Sequence, residues 1–170
     1  MTEGLELYEP GLEEYPKVGI ILNNLVVILW IALGAVACWF FHPVAGWVFL
    51  AVAVTTVYGV LRKLVCTDCY YYDRWCSMGW GKLCALLFRE GEVERFSTGL
   101  GMRVGSLAYG LLGAIPPILA VISIFRVFSM AKVAVLVLLL LTLAYMGVIS
   151  RRKSCQKCKV RFICPGSAAK

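Results

Sequence analysis

Residues 18–61 read VGIILNNLVVILWIALGAVACWFFHPVAGWVFLAVAVTTVYGVL, 44 positions without a single Asp, Glu, Lys or Arg, bracketed by Lys17 and by Arg62-Lys63. At about 1.5 Å per residue, a helix crosses a hydrocarbon core of about 30 Å in about 20 residues. The stretch is therefore long enough for two crossings. The break between them falls at Phe41-His42-Pro43, because proline has no amide hydrogen and pushes the residue before it out of helical geometry. His42, the only histidine in the chain, suits a wet turn. The same layout returns downstream: residues 104–125 carry no charge, Arg126 to Lys132 form a short basic connection, and residues 133–150 are again free of charge.

The composition agrees with these blocks. Of 170 residues, 61% are hydrophobic and 16% are charged, against about 25% charged in an ordinary soluble domain. There is too little polar chain to cover a water-soluble globule. The sequence therefore predicts an all-α integral membrane protein with four transmembrane helices arranged as two hairpins. Its parts are an acidic N-terminal tail (1–17), hairpin one (18–61), a cysteine-containing segment (62–103), hairpin two (104–150) and a basic cysteine-containing tail (151–170). A cleavable leader is not expected, since Glu3, Glu6, Glu9, Glu13 and Glu14 precede the first apolar run where a secretory signal needs basic residues.

Four spans place both tails and the 62–103 segment on one side. That side holds 15 of the 17 Lys and Arg residues, and the opposite side only Arg126 and Lys132. The positive-inside rule then predicts cytosolic N- and C-termini in the cell membrane. The net charge of +7 is read as orientation and contact with an anionic leaflet rather than as a nucleic-acid footprint. The partners expected are the lipid bilayer and a membrane or peripheral protein.

No carboxylate, Lys or Arg lies within an expected span, which disfavours a carboxylate-based ion pump. A bis-histidine haem site is excluded by the lone histidine. Asn23, Asn24, Thr55, Thr56, Ser106, Ser123 and Thr142 are expected to bond between helices. Ser106, Gly110 and Ala114 form a small-residue ridge expected to admit a neighbouring helix, and Pro116-Pro117 should pack inside protein.

The cysteines carry the chemistry. Eight are present, and on a reducing side clustered thiols call for metal or redox chemistry rather than disulfides. Arg62-Lys63 precede Cys66-x2-Cys69-x6-Cys76; Arg151-Arg152-Lys153 precede Cys155-x2-Cys158-x5-Cys164. The repeated grammar, 89 residues apart, suggests an internal repeat. Each CxxC turn presents two sulfurs to one ion, and two such turns supply a tetrahedral set. Cys66, Cys69, Cys155 and Cys158 are thus the expected metal ligands, with Cys76 and Cys164 as further cofactor-binding residues. Zinc and an iron-sulfur cluster both suit four cysteines. Cys38 and Cys84, among apolar neighbours, are read as packed hydrophobes.

After Cys76 the intervals of Trp80, Leu83, Cys84 and Leu87 predict an amphipathic interfacial helix with Trp75 and Trp80 as headgroup anchors, weakened by Gly79 and Gly81. Tyr70-Tyr71-Tyr72 are read as part of the same aromatic belt. A short helix is expected through Val93 to Phe96. No GxSxG, P-loop or HExxH motif occurs, so any catalysis is expected to be redox chemistry. The leading expectation is a membrane anchor or electron-transfer subunit of a larger complex, carrying a cysteine-ligated metal centre. The alternatives are a soft-metal carrier or thiol-redox protein using the CxxC pairs, and a zinc-stabilised structural or interaction protein.

Overall fold

The computed structural model describes residues 7–93 and 95–169. Glu3 and Glu6 of the acidic tail, with Lys170 at the other end, lie outside the described residues. Four helices are long and apolar enough to cross a membrane: α1 (Lys17–Phe41), α2 (Pro43–Cys66), α5 (Leu100–Arg126) and α6 (Met130–Gln156). Between them stand α3 (Trp80–Leu87) and the single turn α4 (Arg95–Thr98), the latter two residues later than the Val93 start expected. Among the described residues there is no strand; one isolated parallel bridge joins Leu12 to Cys158.

The turn between α1 and α2 forms as the proline dictates. His42 is extended, Pro43 takes the first helical position, and the His42 Nδ1 accepts from the Val44 amide at 3.2 Å. The imidazole thereby satisfies one of the amides that a helix start leaves open. At the other short connection, Lys132 donates to the carbonyls of Ser123 (3.1 Å) and Val127 (2.9 Å), closing the end of α5. Arg126 stacks on Phe41, 4.7 Å from the ring centre. Both basic residues of that connection thus have structural partners.

α1 lies at the centre and packs against α2, α5 and α6. Its buried stripe of Val27, Trp30, Ile31, Ala37 and Cys38 meets Phe49, Ala53 and Val57 of α2, Leu112 and Ala120 of α5, and Leu139 of α6. The Ser123 hydroxyl donates to the Phe40 carbonyl at 2.7 Å, tying α5 to α1. Pro116 is buried, as expected. The ridge of Ser106, Gly110 and Ala114 is not: α5 turns Gly101, Gly105, Leu112, Pro116 and Ala120 inward, and the ridge faces outward. The row containing both the proline and Leu112 buries more apolar volume, which decides the rotation of the helix. Outside the core stripe the long helices expose Val, Leu and Ile side chains around their whole length, with Phe125 at 87%.

Two boundaries differ from the sequence expectation. α2 runs through Arg62-Lys63 to Cys66, and α6 runs through Arg151-Arg152-Lys153 to Gln156. The basic residues therefore do not stop the helices; each helix delivers the first cysteine of its CxxC on its last turn. In both, the wider π-helical geometry occurs just upstream, at Thr56–Val60 and Arg62–Cys66 in α2 and at Tyr145–Ser150 in α6. Such turns are rare and concentrate at functional sites.

Candidate metal centre

The segment between α2 and α3 is held against the first helix by side chains expected to bond between helices. Asn23 donates to the Ser77 carbonyl (2.9 Å), and Asn24 donates to the carbonyls of Ile20 (2.8 Å) and Met78 (2.9 Å). The Asn24 carbonyl oxygen accepts from the Trp80 indole at 3.1 Å. Ser150 of α6 donates to the Asn23 oxygen at 3.2 Å, so the pair also reaches the last long helix. These amides fasten the cysteine segment to the bundle.

Gly79 and Gly81, expected to weaken the following helix, are what allow it. Gly79 starts α3 with a φ of 70°, the left-handed conformation that glycine adopts without a Cβ penalty. At Gly81 a Cβ would fall on the carbonyl oxygens of Tyr71 and Arg74. Trp80 and Cys84 consequently turn inward, while Leu83, Leu86 and Leu87 face out. Trp80 is thus not a headgroup anchor: its ring lies under the Arg62 guanidinium. The Cys84 thiol donates to the Arg62 carbonyl at 3.6 Å. Burial, with a smaller contribution from Cys66 against the opposing charge of Arg62, pushes the Cys84 thiol up to about 11.

The basic tail reaches this segment through a strap formed by the N-terminal residues. Tyr8 and Leu12 amides donate to the carbonyls of Lys159 (2.8 Å) and Lys157 (2.9 Å), which brackets Cys158. The Tyr15 hydroxyl donates to the Ser154 carbonyl at 2.8 Å, and its amide to the Trp75 carbonyl at 2.8 Å. Tyr71 closes the arrangement: its hydroxyl donates to the Leu12 carbonyl at 2.7 Å and accepts from the Lys159 amide at 3.1 Å. At 3% exposure, Tyr71 is a buried joint between three chain segments and not a member of an aromatic belt. Lys159 adds an ion pair to Glu13 at 3.4 Å.

Removing only that hydroxyl, in Tyr71→Phe, leaves the Leu12 carbonyl and the Lys159 amide without their partner in a sealed position. A cost of about 1–3 kcal/mol is expected, concentrated in the strap and tail. Amide hydrogen exchange should accelerate at Leu12 and at Lys157 to Arg161 with little change in α1. Unchanged exchange at Lys159 would show that the hydroxyl is not the joint.

The joint brings the two cysteine groups together at Cys69 and Cys158. Cys69 interacts electrostatically with Cys66, Cys76 and Cys158, and its thiol is enclosed although the residue as a whole keeps some exposed surface. That enclosure pushes the Cys69 thiol well up. Cys158 interacts with Cys155 and Cys164 and with Tyr71; burial raises it too. Of the ligand set expected from spacing, Cys66, Cys69 and Cys158 belong to one connected group, with Cys76 as a further member. Cys155 interacts with Cys158. Among the described residues, no group of three or more His, Cys, Asp or Glu side chains is arranged to hold a metal ion, so the four-cysteine set expected from spacing is not assembled here. Cys38 is buried apart from this group, at 1% exposure, whereas Cys84, at 0%, is buried next to Arg62 and Cys66.

Tyr71, Asn23, Asn24 and Arg62 are the participants that sequence reasoning placed elsewhere. The one signal for them was their polarity in or beside apolar blocks. The chain matches no protein-family model, no curated protein and no solved structure.

Proposed function

We propose that this chain is a multi-pass membrane protein that carries a thiolate-ligated metal centre at its cytosolic face, acting as an anchor or electron-transfer subunit of a larger assembly. The supporting observation is the Tyr71 joint, whose hydroxyl bonds to the Leu12 carbonyl and the Lys159 amide and so holds the tail around Cys158 against the segment that carries Cys69, 89 residues away in the sequence. The apolar surface around four helices of spanning length supports insertion in a bilayer. The excess of Lys and Arg beside both CxxC turns supports termini on the cytosolic side.

Cys69 is the hub of the proposed centre, with Cys66, Cys76 and Cys158 as the surrounding ligands; Cys155 and Cys164 extend it from the tail. Zinc or an iron-sulfur cluster fits four sulfurs. Metal binding requires each coordinated thiol to give its proton to solvent and the side chains to move toward a common point.

The test is anaerobic purification of the full chain, with metal analysis and ultraviolet-visible and EPR spectra before and after reduction. Stoichiometric iron with sulfide and an EPR-active reduced state is the expected result for electron transfer. Colourless protein with one equivalent of zinc keeps the centre and makes its role structural. Metal-free protein whose thiols all titrate, even after reconstitution, overturns the reading.

A further inference from the structure

Where the last long helix meets the basic tail, an open cavity of about 670 Å³ lies on the cysteine side of the bundle, within the about 300–1,000 Å³ common to small-molecule sites. Gly147 and Val148 of α6 form its apolar part; Arg152 and Gln156, further along the same helix, and Arg161 of the tail supply its polar part. The tail is folded back onto the helix by Arg151, whose Nη2 donates to the Gly166 carbonyl. Among the described residues no Asp or Glu lines the cavity, and neither Arg152 nor Arg161 has an ion pair. Arg161 is held in place by stacking: its guanidinium lies 4.5 Å from the Tyr8 ring centre and 4.9 Å from that of Phe162. Its Nε is enclosed without a hydrogen-bond partner. Two guanidinium groups in a recess without a carboxylate favour an anion, and their forked donors match the oxygens of a phosphate.

The helix surface leading to this recess is apolar. Leu141, Tyr145 and Val148 precede Arg152 at intervals of three and four residues, and all three are exposed, Val148 by 64%. Gly147 keeps the floor open, since nothing lies within 4 Å of where its Cβ would stand. An apolar stripe that runs into a cationic recess matches an amphiphile with a phosphate head and acyl chains, and basic pockets beside spanning helices on the cytoplasmic side suit such headgroups. We infer that this cavity binds the phosphate headgroup of an anionic glycerophospholipid between Arg152 and Arg161, with the acyl chains along Leu141, Tyr145 and Val148. This rests on the membrane reading above and is independent of any metal. It differs from general attraction of the tail to an anionic leaflet, because it assigns the lipid to two of the tail's cations and not to the others.

The experiment titrates the full chain in detergent with phosphatidylglycerol or phosphatidylcholine and counts the bound lipids by native mass spectrometry. One phosphatidylglycerol should bind more tightly than those that follow it and more tightly than phosphatidylcholine. Arg152→Gln and Arg161→Gln should each weaken that first binding by about 10-fold, the lower end for a charge-assisted hydrogen bond. Lys153→Gln and Lys157→Gln, which remove the same charge from the same tail outside the cavity, should leave it nearly unchanged. Gly147→Leu alters no charge but fills the floor, and should weaken it as well. Should Arg161→Gln loosen the tail, Arg152→Gln and Gly147→Leu carry the comparison. Equal losses in all four charge variants with none in Gly147→Leu would reduce the effect to diffuse attraction and overturn the site. Displacement of the lipid by an equal concentration of inorganic phosphate would make the occupant a soluble anion and overturn the lipid assignment. A folded chain that fails to insert into lipid vesicles removes the membrane reading itself, whereas an inserted chain that binds both lipids alike removes only this site.

Discussion

Cys69→Ser is expected to abolish the sulfur-to-cobalt charge-transfer band of protein reconstituted with cobalt(II), with a loss of affinity beyond the about 10–100-fold that follows loss of an outer-shell partner. Cys69 and Cys158 are the thiols at which the two cysteine groups approach one another, and serine replaces a thiolate with a hydroxyl that a thiophilic ion binds poorly. Cys158→Ser should have the next largest effect because it removes the tail's contribution at the junction. Cys38→Ser serves as the control: Cys38 is a packed side chain within α1, so metal content should not change. Metal retained at full stoichiometry in both Cys69→Ser and Cys158→Ser would mean that the two segments do not share a centre.

Gly81→Ala is the second large expected effect. The added methyl group would meet two backbone carbonyl oxygens, those of Tyr71 and Arg74, and backbone gives way less readily than a side chain. Overpacking of this kind costs about 1–3 kcal/mol. Lengthening the gap between α3 and the Tyr71–Arg74 turn also pulls Trp80 from Arg62 and strains the Asp73 amide bond to the Gly81 carbonyl, now 3.2 Å. A fall in thermal midpoint is expected, with faster amide exchange at Asp73 and a shift in tryptophan emission as Trp80 leaves its pocket. An unchanged midpoint and unchanged Asp73 exchange would show that the turn has slack.

The membrane-scale features were legible because they depend on one local quantity, uninterrupted hydrophobicity over enough residues to match a hydrocarbon thickness. His42-Pro43 marked a helix break for an equally local reason, the missing proline amide. The helix ends at the cysteine side were less legible. Arg62-Lys63 and Arg151-Arg152-Lys153 signal the edge of an apolar block, but a helix that is already propagating can run a turn or more past that edge, each further residue adding one backbone bond. Composition marks where the oil ends, and hydrogen bonding marks where the helix ends; here the two differ by several residues.

The roles of individual polar residues were legible only in kind. Asn23 and Asn24 had to find partners in an apolar setting, and they did, though the partners are backbone carbonyls of the cysteine segment as well as a residue of another span. Tyr71 and Trp80 carried composition signals that fit an interfacial belt, since an aromatic ring with a polar tip suits that depth as well as it suits a buried joint. Choosing between these requires knowing what lies opposite the ring. Gly81 was likewise readable as a helix breaker or as a site of close approach, and the facing carbonyls decide.

Hydrophobic block length, the positions of the charges and the spacing of the thiols are properties of the chain read in order, and they were enough to establish four long apolar helices and to single out two cysteine groups. Which thiols face one another, what buries Arg62, and how the N-terminal strap and Tyr71 bring residue 158 to residue 69 emerged only from the folded arrangement. The physical reason is range: helix formation and apolar run length are settled among near neighbours, whereas the pairing of charges and sulfurs depends on contacts between segments separated by tens of residues, which no local pattern encodes.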